Sequence, residues 1–254
     1  MLELRNVSKW FGGLPALQDV SFDVPRGRIT ALIGPNGAGK STLINCISGV
    51  DTAGGGKILL DQRAIDGLPA FGIAALGVAR TFQNLKLFSR LSVLDNVLTG
   101  LTVAAEPSFV RSMLRLPALR TQERQLRLKA LEALDDFGLA PKVNWPASTL
   151  SYGEKKRVEM ARAFVSEPRL VLLDEPVAGL NSQETVRIAR HIRRQRSAGH
   201  TILLVEHDME LVMDVADQVV VLDSGRCIAS GRPEQVRSNP LVLEAYLGRM
   251  EATA

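Results

Sequence analysis

Four short apolar runs punctuate the chain, each ending in small or charged residues: "ITALIG" (29–34), "RLVLLDEP" (169–176), "HTILLVEHD" (200–208) and "DQVVVLDSG" (217–225). Continuous apolar runs of this length predict strands buried on both faces. The opening segments "LELRNVSKWF" and "ALQDVSFDVPRGR" alternate apolar and polar residues at period two, which predicts half-buried strands joined by turns. "TAGGGKILLDQRAI" adds a Gly-rich turn and one more strand. Residues 84–165 change to a helical period, as in "LRTQERQLRLKALEALDDFGL", and "SQETVRIARHIRRQRS" is a helix between two late strands. Strands alternating with helices imply a parallel α/β sheet covered on both faces. The expected organisation is one domain over 1–254. Residues 1–83 and 166–254 form a β subdomain and a core, and 84–165 form an inserted helical subdomain.

Composition narrows the class only slightly. The 254 residues are 46% hydrophobic and 23% charged, with a net charge of +4 from 31 basic and 27 acidic side chains. That balance suits a globular protein and does not by itself argue for nucleic acid or lipid. Two cysteines, Cys46 and Cys227, lie outside any CxxC pair and read as reduced thiols. The N-terminus "MLELRNVSKW" is unlike a signal peptide. The longest weakly polar run, "LPAFGIAALGVA" (68–79), falls short of the roughly 18 residues that cross a bilayer. A membrane role would come through a partner.

Three strand ends carry the candidate chemistry. "GPNGAGKST" (34–42) fits GxxxxGK[ST] after a buried strand and before a helix, the context a P-loop requires. Gly34, Gly37 and Gly39 let main-chain N–H groups face phosphates, and Pro35, Asn36 and Ala38 complete the loop. Lys40 supplies a point charge to the β- and γ-phosphates, Ser41 a hydroxyl for Mg²⁺, and Thr42 a further phosphate contact. At the end of "LVLLDEP", Asp174 is placed to hold Mg²⁺ through water, and Glu175 to poise an attacking water. His207, ending the next apolar run, is a candidate contact to a γ-phosphate. His191 and His200 read as uninvolved. A second anion site begins at "LSYGEKKRVEMARA" (150–163). Ser151 stands at an N-cap position and Gly153 follows, and a helix start suits a terminal phosphate.

The motifs "GPNGAGKST", "RTFQ" (80–83), "LSYGEKKRVEMARA", "LVLLDEP" and "EHD", in this order, resemble the ATP-binding subunit of ABC transporters. The resemblance spans essentially the whole chain. It implies a P-loop NTPase (RecA-like) core with an N-terminal antiparallel β subdomain and an inserted α-helical subdomain. It implies ATP and Mg²⁺ as cofactors. Phe11 in "KWFGG" matches the aromatic that stacks on adenine, with Trp10 the neighbouring alternative. Gln83 matches a glutamine that reaches Mg²⁺ and the attacking water. Glu175 matches the catalytic glutamate and His207 the switch histidine. Ser151, Tyr152, Gly153 and Glu154 match a signature motif that faces the P-loop of a second chain, so two chains would sandwich two ATPs.

The resemblance is narrower around "RTFQNLKLFSRLSVLDNVL" and "RPEQVRSNPLVLEAYLG", which are similar to the LivG-type subunit of branched-chain amino-acid importers. It implies transmembrane permease partners, a second ATPase in a hetero- or homodimer, and indirectly a solute-binding protein. The location implied is peripheral, on the cytoplasmic face of the plasma membrane. Urea or amide cargo fits the same chain, and a soluble ABC ATPase outside transport is the rival class. That rival lacks a sustained heptad or a cysteine pair here, and the basic "RIARHIRRQR" (187–196) reads as a solvated helix face rather than a nucleic-acid contact. The segment "AAEPSFVRSMLRLPALRTQERQ" (104–125) is read as a surface helix, or else as a contact to a partner subunit. Three departures stand out. Tyr152 replaces a glycine. Glu154 replaces a glutamine and is expected to pair with Lys155, Lys156, Arg157 or a base across an interface. Asn181 in "AGLN" replaces an aspartate.

Overall fold

A computed structural model describes residues 1–101 and 117–247. In chain order the elements are β1 (Leu2–Phe11), β2 (Leu14–Val24), β3 (Ile29–Ile33), α1 (Lys40–Ile47), β4 (Gly55–Leu60), β5 (Arg63–Ala64), α2 (Ala70–Ala75), β6 (Val78–Arg80) and α3 (Val93–Leu98). They continue as α4 (Pro117–Asp136), α5 (Tyr152–Phe164), β7 (Leu170–Asp174), α6 (Ser182–Ser197), β8 (Thr201–Val205) and α7 (Met209–Val215). The last are β9 (Gln218–Asp223), β10 (Arg226–Gly231), α8 (Pro233–Arg237) and α9 (Pro240–Leu247). Residues 104–116 of the insertion read from the sequence lie outside the described residues, and Pro117 opens α4.

Two sheets result. The period-two segments form an antiparallel sheet ordered β2-β1-β4-β5. The apolar runs form the second, ordered β10-β9-β3-β8-β7-β6, in which every pair is parallel except β9–β10. That antiparallel edge and the short β6 are the two strand features that the apolar runs do not announce.

Strands β3, β7 and β8 are buried at every residue, and their two faces supply different cores. Val171, Leu173, Ile202 and Leu204 pack with α3, α4, α5 and α6. Leu170, Leu172, Leu203 and Val205 pack with α1 and the antiparallel sheet. The alternation is the pleat itself, since successive side chains leave a strand on opposite faces. Phe137, fully buried after α4, stacks on the His191 ring of α6 at 5.0 Å. His200 meets Phe164 edge-on at 5.2 Å. Both histidines therefore serve packing between the helical block and the core. Burial lowers the His191 pKa first, with Arg157 and neighbouring arginines adding to it, so the ring stacks in its neutral form. Cys46 is buried, which pushes its thiol up to about 11 and leaves it inert.

Register sets the site. Leu32, Val205 and Asp174 pair across β3, β8 and β7, so these strands end in one row. Gly34, His207 and Glu175 follow within two residues, at the carboxyl edge where open α/β sheets bind ligands. No helix among the described residues is long and apolar enough to cross a membrane.

Candidate nucleotide site

Two P-loop glycines, Gly34 and Gly39, stand where a side chain would collide with main chain. Gly34 has φ 150°, and a Cβ there would lie 2.1 Å from the Leu222 carbonyl oxygen. Gly39 has φ 101°, and its Cβ would lie 2.7 Å from the Ala16 carbonyl oxygen. Gly39 is also the N-cap of α1, so the helix opens directly from the loop. Asn36, Gly37 and Ser41 are exposed, whereas Ala38 and Lys40 are buried. Lys40 Nζ donates to the Gly34 and Pro35 carbonyls at 2.7 and 3.0 Å, holding the ammonium inside the turn. Phe11 ends β1 half exposed, with Lys9 Nζ 5.1 Å from its ring centroid. It joins the loop through β2, whose Ala16 and Leu17 abut Gly39. Trp10 instead lies against Gly54.

Glu175 gathers the other candidates. Its φ of 48° is left-handed, a conformation that costs a non-glycine residue about 1–2 kcal/mol. Its N–H donates to the Val205 carbonyl at 2.9 Å, which holds the strained turn against β8. The carboxylate accepts from Gln83 Nε2 at 2.8 Å and lies 3.9 Å from His207 Nδ1. The three residues read from separate motifs thus meet at one carboxylate. Glu206, fully buried one residue earlier, places this constellation: it accepts from the N–H groups of Val177 and His207 at 3.0 and 3.1 Å. Burial raises its carboxyl above the usual range, against the lowering pull of those N–H groups. The sequence signal was an acid directly before the histidine in "EHD", and its role there becomes visible only in three dimensions.

Arg80 was missed likewise. It comes from β6, and its Nη2 pairs with Asp174 Oδ2 at 3.0 Å while Nη1 donates to Asn45 of α1 and to Ser48 at its C-cap, both at 2.8 Å. The side chains of Arg80 and Asp174 are 12% and 9% exposed. Removing one partner of a buried pair costs about 3–5 kcal/mol. Arg80→Met is therefore expected to lower the unfolding free energy by about 3 kcal/mol, read from urea denaturation without nucleotide. A loss under about 1 kcal/mol would mean that Asp174 does not depend on the pair.

The donors available for a metal are the Asp174 carboxylate, the Ser41 hydroxyl and the Gln83 amide oxygen. Among the described residues no three His, Cys, Asp or Glu side chains form a cage. A sparse, all-oxygen set fits Mg²⁺, which takes one or two protein ligands and completes its shell with water and phosphate.

The helix start read from the sequence as a second anion site carries a full capping box. Ser151 caps α5: its hydroxyl accepts from the Glu154 N–H, and Glu154 Oε2 accepts from the Ser151 N–H at 3.0 Å. Glu154 pairs with Lys142 at 2.6 Å and more loosely with Arg157 at 3.9 Å, so its main partner is a lysine the sequence did not nominate. Burial raises its carboxyl, but Lys142 and the Ser151 groups outweigh that and hold it below the usual range. Tyr152 lies over Gly179, where an added Cβ would stand 3.3 Å from the ring. A Cβ at Gly153 would stand 2.3 Å from Glu184 Oε1, so the Glu184 side chain would have to move aside. Glu184 also closes the capping box of Asn181, the N-cap of α6. Asparagine and aspartate cap equally well, which accounts for Asn181 structurally. A cavity of about 70 Å³ beside Ser151 is lined by Gly153, Glu154, Arg157, Glu184 and Arg187, with no P-loop residue.

Glu154→Gln keeps the cap acceptor and loses the ion pair with Lys142. Because the folded carboxyl titrates below its unfolded value, its contribution is present above that value and lost as pH falls through the folded one. The variant is expected to be less stable by roughly 0.5 kcal/mol at neutral pH. The difference should shrink as acidification carries the pH down through the lowered folded value, as read from urea midpoints across pH.

Comparison with known proteins shows the family. A family profile described as ABC transporter matches residues 17–178. The chain is a member of the ABC transporter ATP-binding family. A second profile, branched-chain amino acid ATP-binding cassette transporter, matches residues 226–252 of this cassette. The cassette is 42% identical to the high-affinity branched-chain amino acid transport ATP-binding protein BraF of Pseudomonas aeruginosa over 98% of both chains. It is 40% identical to the LivG protein of Escherichia coli, also over 98% of both. Its structure matches the ADP conformation of an ATP-binding cassette of an ABC transporter with a TM-score of 0.85, at 33% identity over 98% of both chains. A cassette solved as a dimer bound to ADP and Pi matches at a TM-score of 0.77 and 25% identity, over 92% of this chain and 99% of that one.

Proposed function

We propose that this cassette binds and hydrolyses ATP to power uptake of branched-chain or other hydrophobic amino acids through transmembrane permease partners, from the cytoplasmic face of the plasma membrane. The observation that carries the reading is its likeness along 98% of its length to branched-chain amino acid transport ATP-binding proteins. Gly34 to Gly39 would cradle the phosphates with main-chain N–H groups, while Lys40 and Thr42 meet their oxygens and Phe11 stacks on adenine. Ser41, Asp174 and Gln83 would hold Mg²⁺, which when bound neutralises charge on the phosphates. Glu175 orients or deprotonates the attacking water, and Gln83 fixes the carboxylate. His207, beside it, faces the γ-phosphate. Ser151 and Gly153 present the start of α5 to the terminal phosphate held by a second cassette, the same chain or a different one. Fixed dipoles and charges of this kind supply most phosphoryl-transfer catalysis.

A cleft of about 520 Å³ between β6 and the helical block supports a docking place for the permease. Phe82 and Phe88 expose their rings there, 36% and 55% of each residue being accessible. Tagged cassette purified from its host membrane is expected to bring permease subunits with it, and its deletion to abolish uptake of labelled leucine. Copurifying permeases with unchanged leucine uptake would move the cargo to another solute, such as urea or an amide. Absence of any permease would favour an ABC ATPase outside transport.

A further inference from the structure

The core-facing side of α5 carries charge where packing alone would ask for apolar residues. Lys156, Glu159 and Arg162 recur at i, i+3 and i+6, one face of a helix. Lys156 and Glu159 are each 1% exposed, and the Arg162 side chain 15%. Burying an ion costs several kcal/mol unless hydrogen bonds offset it. Each of the three bonds to the main chain of one short segment, and Lys156 bonds also to the main chain of Glu175. Glu159 Oε1 accepts from the Phe82 N–H at 3.2 Å. Lys156 Nζ donates to the Gln83 carbonyl at 3.4 Å and to the Glu175 carbonyl at 3.3 Å. Arg162 Nη1 donates to the Lys86 carbonyl, and its Nη2 lies 3.8 Å from Glu159. Two residues on, the fully buried Asn96 of α3 binds both the N–H and the carbonyl of Phe88.

Residues just before this segment belong to the other body. The Thr81 N–H donates to Leu172 of β7, the Thr81 hydroxyl accepts from the Asp174 N–H, and Arg80 holds the Asp174 carboxylate. Attachment thus changes from core to helical block between Thr81 and Phe82. Gln83 lies on the helical side of that change, and its side chain reaches back to Glu175.

We propose that Lys156, Glu159 and Arg162 are positioning residues that fasten the Gln83 segment to the signature helix. The placement of Gln83 in its own nucleotide site and the presentation of Ser151 to a second cassette are then set by one rigid unit. The inference rests on the reading that Gln83 serves the ATP site and Ser151 a partner's. Stability alone does not account for the stripe. Burial raises the Glu159 carboxyl, against the Phe82 and Lys86 N–H groups and the Lys156 and Arg162 cations. A raised folded value means that its contribution is full below the unfolded value and is lost as pH rises, so at neutral pH the charge is a cost.

The test is hydrogen exchange on the full chain in a Glu175→Gln background, with and without Mg·ATP. In that parent, protection of residues 82–88 and 150–157 is expected to change together on adding ATP. Adding Glu159→Leu should leave ATP affinity within about twofold and keep the response at 82–88, while the response at 150–157 falls about fivefold or more. Glu159→Gln keeps an acceptor for the Phe82 N–H and should restore the joint response. If the leucine variant does not fold, Lys156→Met carries the same expectation. A joint response that survives in these variants would overturn the proposal, as would ATP affinity lost in step with the coupling. Failure of the partner reading is told apart by Ser151→Arg, whose unchanged ATP turnover would sink that reading and leave the exchange result standing.

Discussion

A Glu175→Gln cassette is expected to bind ATP with near-parental affinity and to hydrolyse it about 10²–10⁴-fold more slowly, the usual worth of a general base. The position is singled out by its surroundings rather than by the acid alone. A left-handed backbone turns it out of β7, and the Val205 carbonyl holds that turn. Gln83 at 2.8 Å and His207 at 3.9 Å converge on the carboxylate. The amide is close to isosteric and leaves Lys40 and the P-loop glycines untouched, so the loss should fall on turnover and spare binding. Phosphate release at saturating Mg·ATP, measured beside equilibrium ATP binding, separates the two. Turnover within about tenfold of the parent would remove Glu175 from the role of base.

The second large effect is expected at Ser151. Ser151→Arg should abolish ATP hydrolysis while the single chain binds ATP as before. Ser151 lies at the start of α5, beside a cavity that no P-loop residue lines. The arginine also removes a helix cap, worth about 1 kcal/mol. Ser151→Asp resolves that ambiguity: aspartate caps as well as serine but sets a negative charge where a phosphate would approach. It is expected to be as stable as the parent in urea and equally inactive. An active, stable Ser151→Asp chain would show that this helix start meets no phosphate.

The parts legible in the sequence are those whose logic is local. The P-loop reads directly because strand, glycines, lysine and helix follow one another in thirteen residues or so. Asp174, Glu175 and His207 read as the ends of apolar strands, and the parallel register brings them into one row. What stayed hidden depends on partners distant in the chain. Tyr152 makes sense only against Gly179, Glu154 only beside Lys142, and Asn181 only with Glu184, which itself packs on Gly153. Arg80 sits on a three-residue strand with no periodicity to read, yet it holds Asp174. The charged stripe of α5 is not legible in the sequence, because a helical period does not say which face is buried. The parallel core was foreseeable from apolar runs, whereas the antiparallel β10 edge, with no fully buried residue in it, was not.

On the proposed reading, the signature helix completes a nucleotide site on another chain. Sedimentation of the Glu175→Gln cassette, with and without saturating Mg·ATP, tests it most directly, alone and with any second ATPase that copurifies from the membrane. A single chain is expected without nucleotide, a two-cassette particle with ATP, and no such particle once Ser151→Arg is added. A single chain at saturating ATP in both settings would contradict it, as would a dimer that forms equally well with Ser151→Arg.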